Sequence, residues 1–552
     1  MTEKLFILLI GVGLIAFLIF LTIYSHWKLR LTVKSNWGRA PHSTRFDQED
    51  SLKKAWEIEK NFHQWDSEID DLTWQDLDMF AVFEKINLTY SSVGSESLYQ
   101  KLRNYNWQED ESLEELIQFY KEHPKIREDI QYAFAKLGKQ ENNLSKFYLS
   151  DQTITPLGSL SFFLVLGGLP LFGILLSFFN LPLGITLIIG SLFFNMFYYY
   201  IKKIYLETEL NSMRYLVQTI SSGIELCKID HPLQKELTQA LAPLKSIARF
   251  AFSFRAKNGS ETDMILEYFN ILFMLPFISY TVVIKKLKNH RQEAVLLWDL
   301  MGKLEVACSV LNFRTYQENA TCPVFKKGPV SAQELVHPLI ENPVDNPVNW
   351  QKTTLVTGSN ASGKSTYVKG IAINCILAQT IQTVLAKEFS LEFGHVLTSM
   401  AIKDDLFQGD SYFVAEVKSV KRLLDNVRTK KRCYCFIDEI LKGTNTIERI
   451  AASSSVVSWL SETSSLAMVA THDIELTEIL KTKCANIHFS EQVTKDQGIS
   501  FDYQVKYGPS QSRNAIALLD LMKYPSEIID NAKSAANFFD ENRFWQVNKE
   551  ET

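Results

Sequence analysis

The feature that most restricts the fold of this chain is a long run of residues without any charged side chain. Residues 154–201 contain no Asp, Glu, Lys, Arg or His. A helix of about 20 apolar residues crosses the hydrocarbon core of a bilayer, so the run is long enough for two crossings with a turn near Pro182. Lysines flank it on both sides, at Lys146, Lys202 and Lys203. The alternative, a buried helical hairpin in a soluble core, does not suit so long a stretch without charge, and we expect a transmembrane hairpin over residues 155–201.

A second charge-free apolar segment lies at the start of the chain, over residues 5–24. A cleaved signal peptide carries its positive charge before the apolar run and a small-residue site behind it. Here the positive charge lies mainly behind, beginning with Lys28, Arg30 and Lys34. Positive charge favours the cytoplasmic side. We therefore expect an uncleaved anchor over residues 1–27 with its N-terminus outside, in a multi-pass protein of the cell (inner) membrane.

Residues 264–284 form a third apolar stretch, but it contains Glu267, Asn270 and a central Pro276. One anchor and one hairpin already leave the C-terminal half in the cytoplasm, so we interpret this stretch as a buried core helix. Apolar residues recur at helical spacing in the segments on either side of the hairpin. They predict a cytoplasmic helical domain over 46–150 and a helical core, or lever, over 204–330.

Composition argues against tight, non-specific DNA binding and against a disulfide or zinc framework. The net charge is −5, and a global basic excess, which the phosphate backbone of nucleic acids rewards, is lacking. Seven cysteines are scattered without disulfide or zinc spacing, which is typical of reduced core thiols.

From about Thr353 the pattern changes to short apolar strands alternating with helices, which indicates an α/β domain over 331–552. The strand 353–357 runs into the sequence GSNASGKST, and an apolar helix follows. Glycines let backbone N–H groups surround a phosphate at a helix N-terminus. The predicted binding residues of this loop are Gly358, Asn360, Gly363, Lys364, Ser365 and Thr366. Lys364 can reach the β- and γ-phosphates of a nucleotide, and Ser365 can ligate Mg²⁺.

Two later strands end in polar residues. The strand 434–437 ends in Asp438 and Glu439, and buried carboxylates are costly unless they serve a cation. Asp438 is the predicted second Mg²⁺ ligand, and Glu439 the residue that polarises an attacking water. The strand 466–470 is followed by His472, which is placed to sense the γ-phosphate.

These motifs, in this order, resemble the ATPase domain of the MutS family over most of residues 330–535. The loop reads TGSNASGKST where the family has TGPNxxGKST, and the segments IDEI and GTNT at 437–446 are similar to the family's IDE and GTST. ATHDIEL at 470–476 is similar to ATHxxEL, and DDL with GDSYFVAE at 404–416 to DDL with GxSTFxxE. Asn445 and Glu448 stand where the repair proteins carry Ser and Asp.

The resemblance implies an α/β P-loop NTPase domain of ABC/MutS type, preceded by an all-α core that transmembrane helices interrupt. It implies ATP and Mg²⁺ as ligands, with Lys364, Ser411, Glu439 and His472 as catalytic residues. In the family the serine at the position of Ser411 reaches the γ-phosphate bound by the partner subunit, which implies a homodimer through the ATPase domain. We find no segment that resembles the family's N-terminal mismatch-reading domain.

Two functions follow. The first is a membrane-bound MutS-type ATPase that binds DNA, in a process like mismatch repair or DNA-structure sensing. The second is a membrane-tethered ATP-driven motor or sensor without a nucleic-acid ligand. Salt-dependent DNA binding would distinguish the two.

Overall fold

A computed structural model of the chain describes residues 2–42, 46–150, 158–254, 268–359, 362–400, 412–430, 432–494, 498–510, 516, 519–520, 522–542 and 544–545. The chain divides into two compact units. Unit 1 consists of Met1–Trp65, Phe83–Leu102 and Asp110–Tyr316, and unit 2 of Asp66–Val82, Arg103–Glu109 and Gln317–Thr552.

Unit 1 is helical over the residues that the structure describes. Its α-helices are Thr2–Asn36, Glu49–Glu59, Met79–Ile86 (shared with unit 2), Ser92–Arg103, Glu111–Glu122, Pro124–Leu137, Leu160–Ser177, Leu181–Leu226, Gln234–Leu241, Lys245–Ala248, Leu275–Asn289 and Arg291–Tyr316. Short 3₁₀ segments lie at Ser145–Leu149, Ala242–Leu244 and Ala251–Phe254.

Local sequence sets the ends of these helices. The carboxylate of Asp110 accepts a hydrogen bond from the N–H of Leu113 and caps the helix Glu111–Glu122. Pro124 begins the next helix, where its missing N–H has no cost. Gly138, with φ of 73°, ends that helix in a conformation that favours glycine.

Two helices of unit 1, Leu160–Ser177 and Leu181–Leu226, are long and apolar enough to cross a membrane by length and composition. The turn between them lies near the predicted Pro182, and the side chain of Asn180 caps the second helix. Apolar side chains such as Val165 (61% exposed) and Phe193 (69% exposed) cover their outer surfaces. The N-terminal helix Thr2–Asn36 also exposes Phe20.

Unit 2 carries the strands of the described part of the chain. In chain order they are β1 Ser67–Glu68, β2 Asn104–Tyr105, β3 Ala320–Thr321, β4 Val324–Phe325, β5 Val330–Leu335, β6 Asn346–Trp350, β7 Thr354–Thr357, β8 Val384–Leu385, β9 Glu388–Leu391, β10 His395–Ser399, β11 Cys433–Asp438, β12 Leu466–Ala470, β13 Ala485–His488, β14 Glu491–Thr494, β15 Gly498–Phe501 and β16 Lys506–Tyr507. Its helices are Asp71–Asp76, Lys364–Ile381, Tyr412–Thr429, Thr446–Ser461, Glu475–Ile479 and Ser526–Asn542.

The centre of unit 2 is a six-stranded sheet in the order β10-β11-β12-β7-β13-β16. Its first five strands are parallel, and β16 pairs antiparallel with β13. Nearly every residue of β7, β11 and β12 is buried, because helices cover both faces of a parallel sheet. A second sheet, β4-β9-β5-β6, and the pairs β1-β2, β3-β8 and β14-β15 complete the strand pairing.

Candidate functional site

The candidate site lies where three neighbouring parallel strands end. Asp438 of β11 pairs in register with Ala470 of β12, and Ala470 with Val356 of β7. The segments that follow these strands therefore leave the sheet at the same edge. In open α/β sheets this carboxyl edge is where ligands bind.

The loop between β7 and the helix Lys364–Ile381 requires glycine at both ends. Gly358 has φ of 142°, and a Cβ at this position would lie 2.5 Å from the carbonyl oxygen of Phe489. Gly363, at the N-cap of the helix, has φ of 101°. Since the first N–H groups of a helix lack partners within it, the start of the helix Lys364–Ile381 offers backbone donors and a partial positive charge beside this loop.

Lys364 folds back over the loop that precedes it. Its Nζ donates hydrogen bonds to the carbonyl oxygens of Gly358 (2.6 Å) and Ser359 (2.8 Å) and lies 3.4 Å from Nε2 of His472. Burial lowers the pKa of the Lys364 ammonium, and Asp438 and Glu439 oppose that effect. An incoming anion would offer the buried cation stronger bonds than two neutral carbonyl groups do.

Glu439 follows β11 in a left-handed conformation, with φ of 58°. Its N–H donates to the carbonyl oxygen of Ala470 at 2.9 Å, which fixes its backbone beside β12. Its carboxylate lies 2.9 Å from His472 Nε2 and 2.5 Å from Lys442 Nζ. The hydrogen bond from His472, together with Lys442, lowers the pKa of Glu439 to about 2, so this carboxylate is ionised at neutral pH.

A buried acid holds the loop that follows Glu439. Glu416, on the helix Tyr412–Thr429, accepts hydrogen bonds from the N–H groups of Lys442 (2.9 Å) and Gly443 (3.4 Å). Further along the chain, the side chain of Asn445 accepts from the N–H of Glu448 and caps the helix Thr446–Ser461.

His472 is supported by a network that the motifs alone do not reveal. Its neighbour Asp473 forms a two-point ion pair with Arg449, at 2.9 Å and 2.6 Å. The N–H of Asp473 also donates to the hydroxyl of Thr471 at 3.0 Å. Paired hydrogen bonds of this kind are strong and directional, and they fix the loop after β12. Arg449 could not be predicted from the sequence, because an arginine in the first turns of a helix carries no signal that separates it from other surface charges.

A cavity of about 590 Å³ opens beside the loop. Its lining includes the polar residues Lys364, Ser365, Thr366, Glu439 and His472 and the apolar or aromatic residues Ile340, Pro343, Val344 and Tyr503. Asn346, another lining residue, fixes the segment that carries Tyr503, because its amide donates to the carbonyl oxygen of Tyr503 (2.9 Å) and accepts from the N–H of Val505 (2.8 Å). The lining thus combines charged and polar side chains with apolar ones.

The structure brings together Lys364, Glu439 and His472 of the predicted site, with Gly358, Gly363, Ser365, Thr366 and Asp438 around them. Asn360 and Ser411 lie outside the described residues. The hydroxyl of Ser365 and the carboxylate of Asp438 are hard oxygen donors that suit Mg²⁺.

Residues 354–540 match the family model of MutS domain V. The C-terminal part of this chain is MutS-like. The chain is 30% identical over 286 residues to the DNA mismatch repair protein MutS of Bacillus velezensis, and the match covers 49% of this chain and 32% of that protein. It is 29% identical over 203 residues to a DNA mismatch repair protein MutS of Thermus thermophilus, where the match covers 36% of this chain and 25% of that protein.

The chain spans at most about a third of the length of these MutS relatives. The similarity confirms the predicted resemblance over the C-terminal part and identifies unit 2 as the part that carries a P-loop ATPase-type domain.

Proposed function

We propose that this chain is a MutS-type ATPase that binds and hydrolyses ATP in unit 2. The observation that carries the proposal is the convergence of Lys364, Glu439 and His472 within hydrogen-bonding distance at the carboxyl edge of one parallel sheet. A lysine at the end of a glycine-rich loop binds phosphate, and an ionised carboxylate beside it can act on water.

The loop from Gly358 to Ser365 holds the phosphates. The N–H groups at the start of the helix Lys364–Ile381 supply positive charge, which would stabilise the negative charge that builds up on the phosphate oxygens. Lys364 exchanges its two carbonyl partners for the β- and γ-phosphates. Ser365 and Asp438 would hold Mg²⁺, which when bound would supply Lewis-acid stabilisation of the phosphate charge.

Glu439 orients the water that attacks the γ-phosphate, and His472 positions Glu439. The low pKa of this carboxylate makes it a weak proton acceptor while His472 and Lys442 contact it. Release of Lys442, which is 60% exposed in its side chain, would raise its basicity. His472 lies between Glu439 and Lys364, and from there it would contact the γ-phosphate.

The apolar part of the cavity lining takes the base. Tyr503 is an aromatic residue that lines it with an exposed side chain, and we assign it the stacking position that the sequence left open. Stacking of a base on an aromatic ring contributes about 1–3 kcal/mol in nucleic-acid complexes.

The first test is nucleotide binding by Lys364→Ala. Loss of a charged hydrogen-bond donor costs about 1.5–3 kcal/mol for each bond, so we expect ATP affinity to fall at least tenfold. Lys369→Ala is the matched control, because Lys369 lies on the same helix but pairs with Asp78 at 3.1 Å. Equal affinity in the two variants would refute the phosphate-binding role of Lys364.

The remaining assignments concern assembly and location. Ser411 would reach the γ-phosphate of the partner subunit, so that two chains enclose two nucleotides and ATP favours the homodimer. The helix Thr2–Asn36 and the hairpin would anchor the chain in the cell (inner) membrane, with the N-terminus outside and unit 2 in the cytoplasm. Their support is the apolar composition and the exposed apolar surface of the hairpin.

DNA is the first candidate for the ligand that ATP controls, and its support is the similarity to DNA mismatch repair proteins. The alternative is a membrane motor or sensor without nucleic acid, which the net charge of −5 and the exposed apolar hairpin favour. ATPase rates of the detergent-purified protein, with duplex, mismatched and branched DNA at two salt concentrations, distinguish them. DNA-dependent stimulation that fades with salt supports the first function, and a rate indifferent to every DNA supports the second.

A further inference from the structure

A group of three potential metal ligands lies in unit 1, distant in sequence from the nucleotide site. Glu59 ends the helix Glu49–Glu59, and His63 follows one turn later, with its N–H bonded to the carbonyl oxygen of Glu59 at 3.2 Å. Asp299 lies on the helix Arg291–Tyr316. One ligand atom from each of the three side chains lies within 4.8 Å of the others.

The imidazole of His63 stands between the two carboxylates. Its Nε2 is 3.1 Å from Oδ2 of Asp299 and 3.1 Å from Oε1 of Glu59. One ring nitrogen carries one hydrogen at most, so a single N–H would have to be shared between the two carboxylate oxygens. Glu59 Oε1 is buried, and beyond this shared contact with His63 no hydrogen-bond partner is found for it among the described residues. A divalent cation, unlike a proton, would bind all three atoms at once.

The surroundings orient the ligands. Glu59 is 1% exposed, and its other oxygen, Oε2, accepts a hydrogen bond from the buried ammonium of Lys146 at 2.5 Å. That contact fixes the carboxylate with Oε1 towards His63. The side chains of His63 and Asp299 are 39% and 23% exposed, so the group is open to solvent on one side.

The distances suit a small transition-metal ion. Bonds of about 2.0–2.2 Å to Zn²⁺ place the ligand atoms of a tetrahedral site about 3.3–3.5 Å apart, close to the two separations of 3.1 Å. Three protein ligands with one open position, filled by water, make a common zinc arrangement. Imidazole with carboxylates suits first-row divalent ions.

We propose that Glu59, His63 and Asp299 form a binding site for a first-row divalent metal ion of the Zn²⁺ class in unit 1. The ion would join the end of the helix Glu49–Glu59 to the helix Arg291–Tyr316. Such a bond links segments that are far apart in the sequence and stabilises their packing.

The test is Zn²⁺ retention by the full chain in detergent, after treatment with chelator, exposure to Zn²⁺ and dialysis. We expect each wild-type chain to retain one more Zn²⁺ ion than a chain with either ligand substitution, His63→Asn or Asp299→Asn. His290→Asn is the matched control, because His290 lies 3.8 Å from a single carboxylate, that of Glu293, and it should retain the wild-type amount.

X-ray absorption at the zinc edge of the wild type makes the result independent of the folding of any variant. The proposal predicts a nitrogen and oxygen shell with one imidazole. Equal retention by the wild type and the two ligand variants, or a shell that contains sulfur, would overturn it.

Discussion

At the scale of single residues, unit 1 buries a carboxyl group with an unusual titration. Glu305 is 2% exposed and accepts hydrogen bonds from the N–H groups of Tyr90 (2.6 Å) and Ser91 (3.3 Å) and from the hydroxyl of Ser91. These bonds hold the start of the helix Ser92–Arg103. Burial raises the pKa of Glu305 to about 7 against the effect of the bonds, because the charged form loses hydration.

The raised pKa predicts how stability depends on pH. The pKa of Glu305 is 4.5 in the unfolded chain and about 7 in the folded one, so the folded state binds the proton more strongly. The stabilising contribution of Glu305 to the free energy of unfolding is therefore complete below pH 4.5 and is lost as the pH rises through 7. The shift corresponds to about 3 kcal/mol.

We expect Glu305→Gln to flatten this dependence, since glutamine stays neutral at every pH. The difference between the free energies of unfolding at pH 5 and pH 8, obtained with denaturant, measures this dependence. Glu57→Gln, at an exposed position of another helix, should keep the wild-type slope. An unchanged slope in Glu305→Gln would show that another group causes the dependence.

The chemical roles of single residues were the part of the structure that the sequence predicted best. A glycine-rich loop, paired acids after an apolar strand and a His after the next strand can be read from local sequence, and the structure joins Lys364, Glu439 and His472. The partners of those residues were not predictable. Lys442 and Arg449 look like ordinary surface charges in the sequence, and only the folded loops bring them to Glu439 and Asp473.

At the scale of elements, one buried amide joins three helical segments of unit 1. Asn195 is fully buried in the helix Leu181–Leu226, and its Nδ2 donates to the carbonyl oxygens of Leu166 (2.9 Å) and Leu272 (2.7 Å). The carbonyl of Leu166 lies four residues before Pro170, which is inside the helix Leu160–Ser177 and has no N–H to offer it. Asn195 thus supplies the donor that Pro170 withholds, and it also binds the Leu272 carbonyl, which lies just before the left-handed break at Met274.

This arrangement predicts a specific loss of stability in Asn195→Leu, which keeps the size of the side chain but removes both donors. Each unsatisfied buried carbonyl costs about 1–3 kcal/mol, so the free energy of unfolding in detergent should fall by about 2–4 kcal/mol. Thr186→Val is the control, since the Thr186 hydroxyl bonds to its own helix, at the carbonyl oxygen of Pro182. Equal stability of the two variants would contradict the account.

A second element-scale prediction concerns Glu416, which links the helix Tyr412–Thr429 to the loop after Glu439. Loss of a buried charged acceptor costs about 1.5–3 kcal/mol. We expect Glu416→Ala to lower the kcat of ATP hydrolysis about tenfold or more, with little change in KM, because the loop positions Glu439 and does not hold the phosphates.

The matched control is Asp425→Ala, on the same helix, whose exposed carboxylate pairs with Lys421 at 2.5 Å. A kcat for Glu416→Ala equal to that of this control would remove the positioning role.

Elements were predictable where local pattern decides them. The strand, loop and helix around Gly358 and the turn near Pro182 follow from apolar runs and turn residues. The contacts of Asn195 and Glu416 depend on which helices pack together, and a single sequence does not contain that information. The break at Met274, which has φ of 55° and precedes the helix Leu275–Asn289, was likewise not predictable from the sequence.

At the scale of the whole molecule, the sequence predicted a MutS-like α/β domain at the C-terminus, and the family match over residues 354–540 confirms that part. The predicted domain boundaries, the membrane crossings and the homodimer stay predictions. The units also combine segments that the sequence keeps apart, since Asp66–Val82 and Arg103–Glu109 join unit 2. Burial patterns within one segment do not reveal which unit it packs with.

The most direct test of the central claim compares ATP turnover by the full wild-type chain with turnover by Glu439→Gln. The account predicts that the variant binds ATP as the wild type does but hydrolyses it about 10²–10⁴ times more slowly. Glu448→Gln, at an exposed glutamate on the following helix, should hydrolyse ATP at close to the wild-type rate. Turnover by Glu439→Gln equal to that of the wild type would contradict the assignment of this site as an ATPase centre.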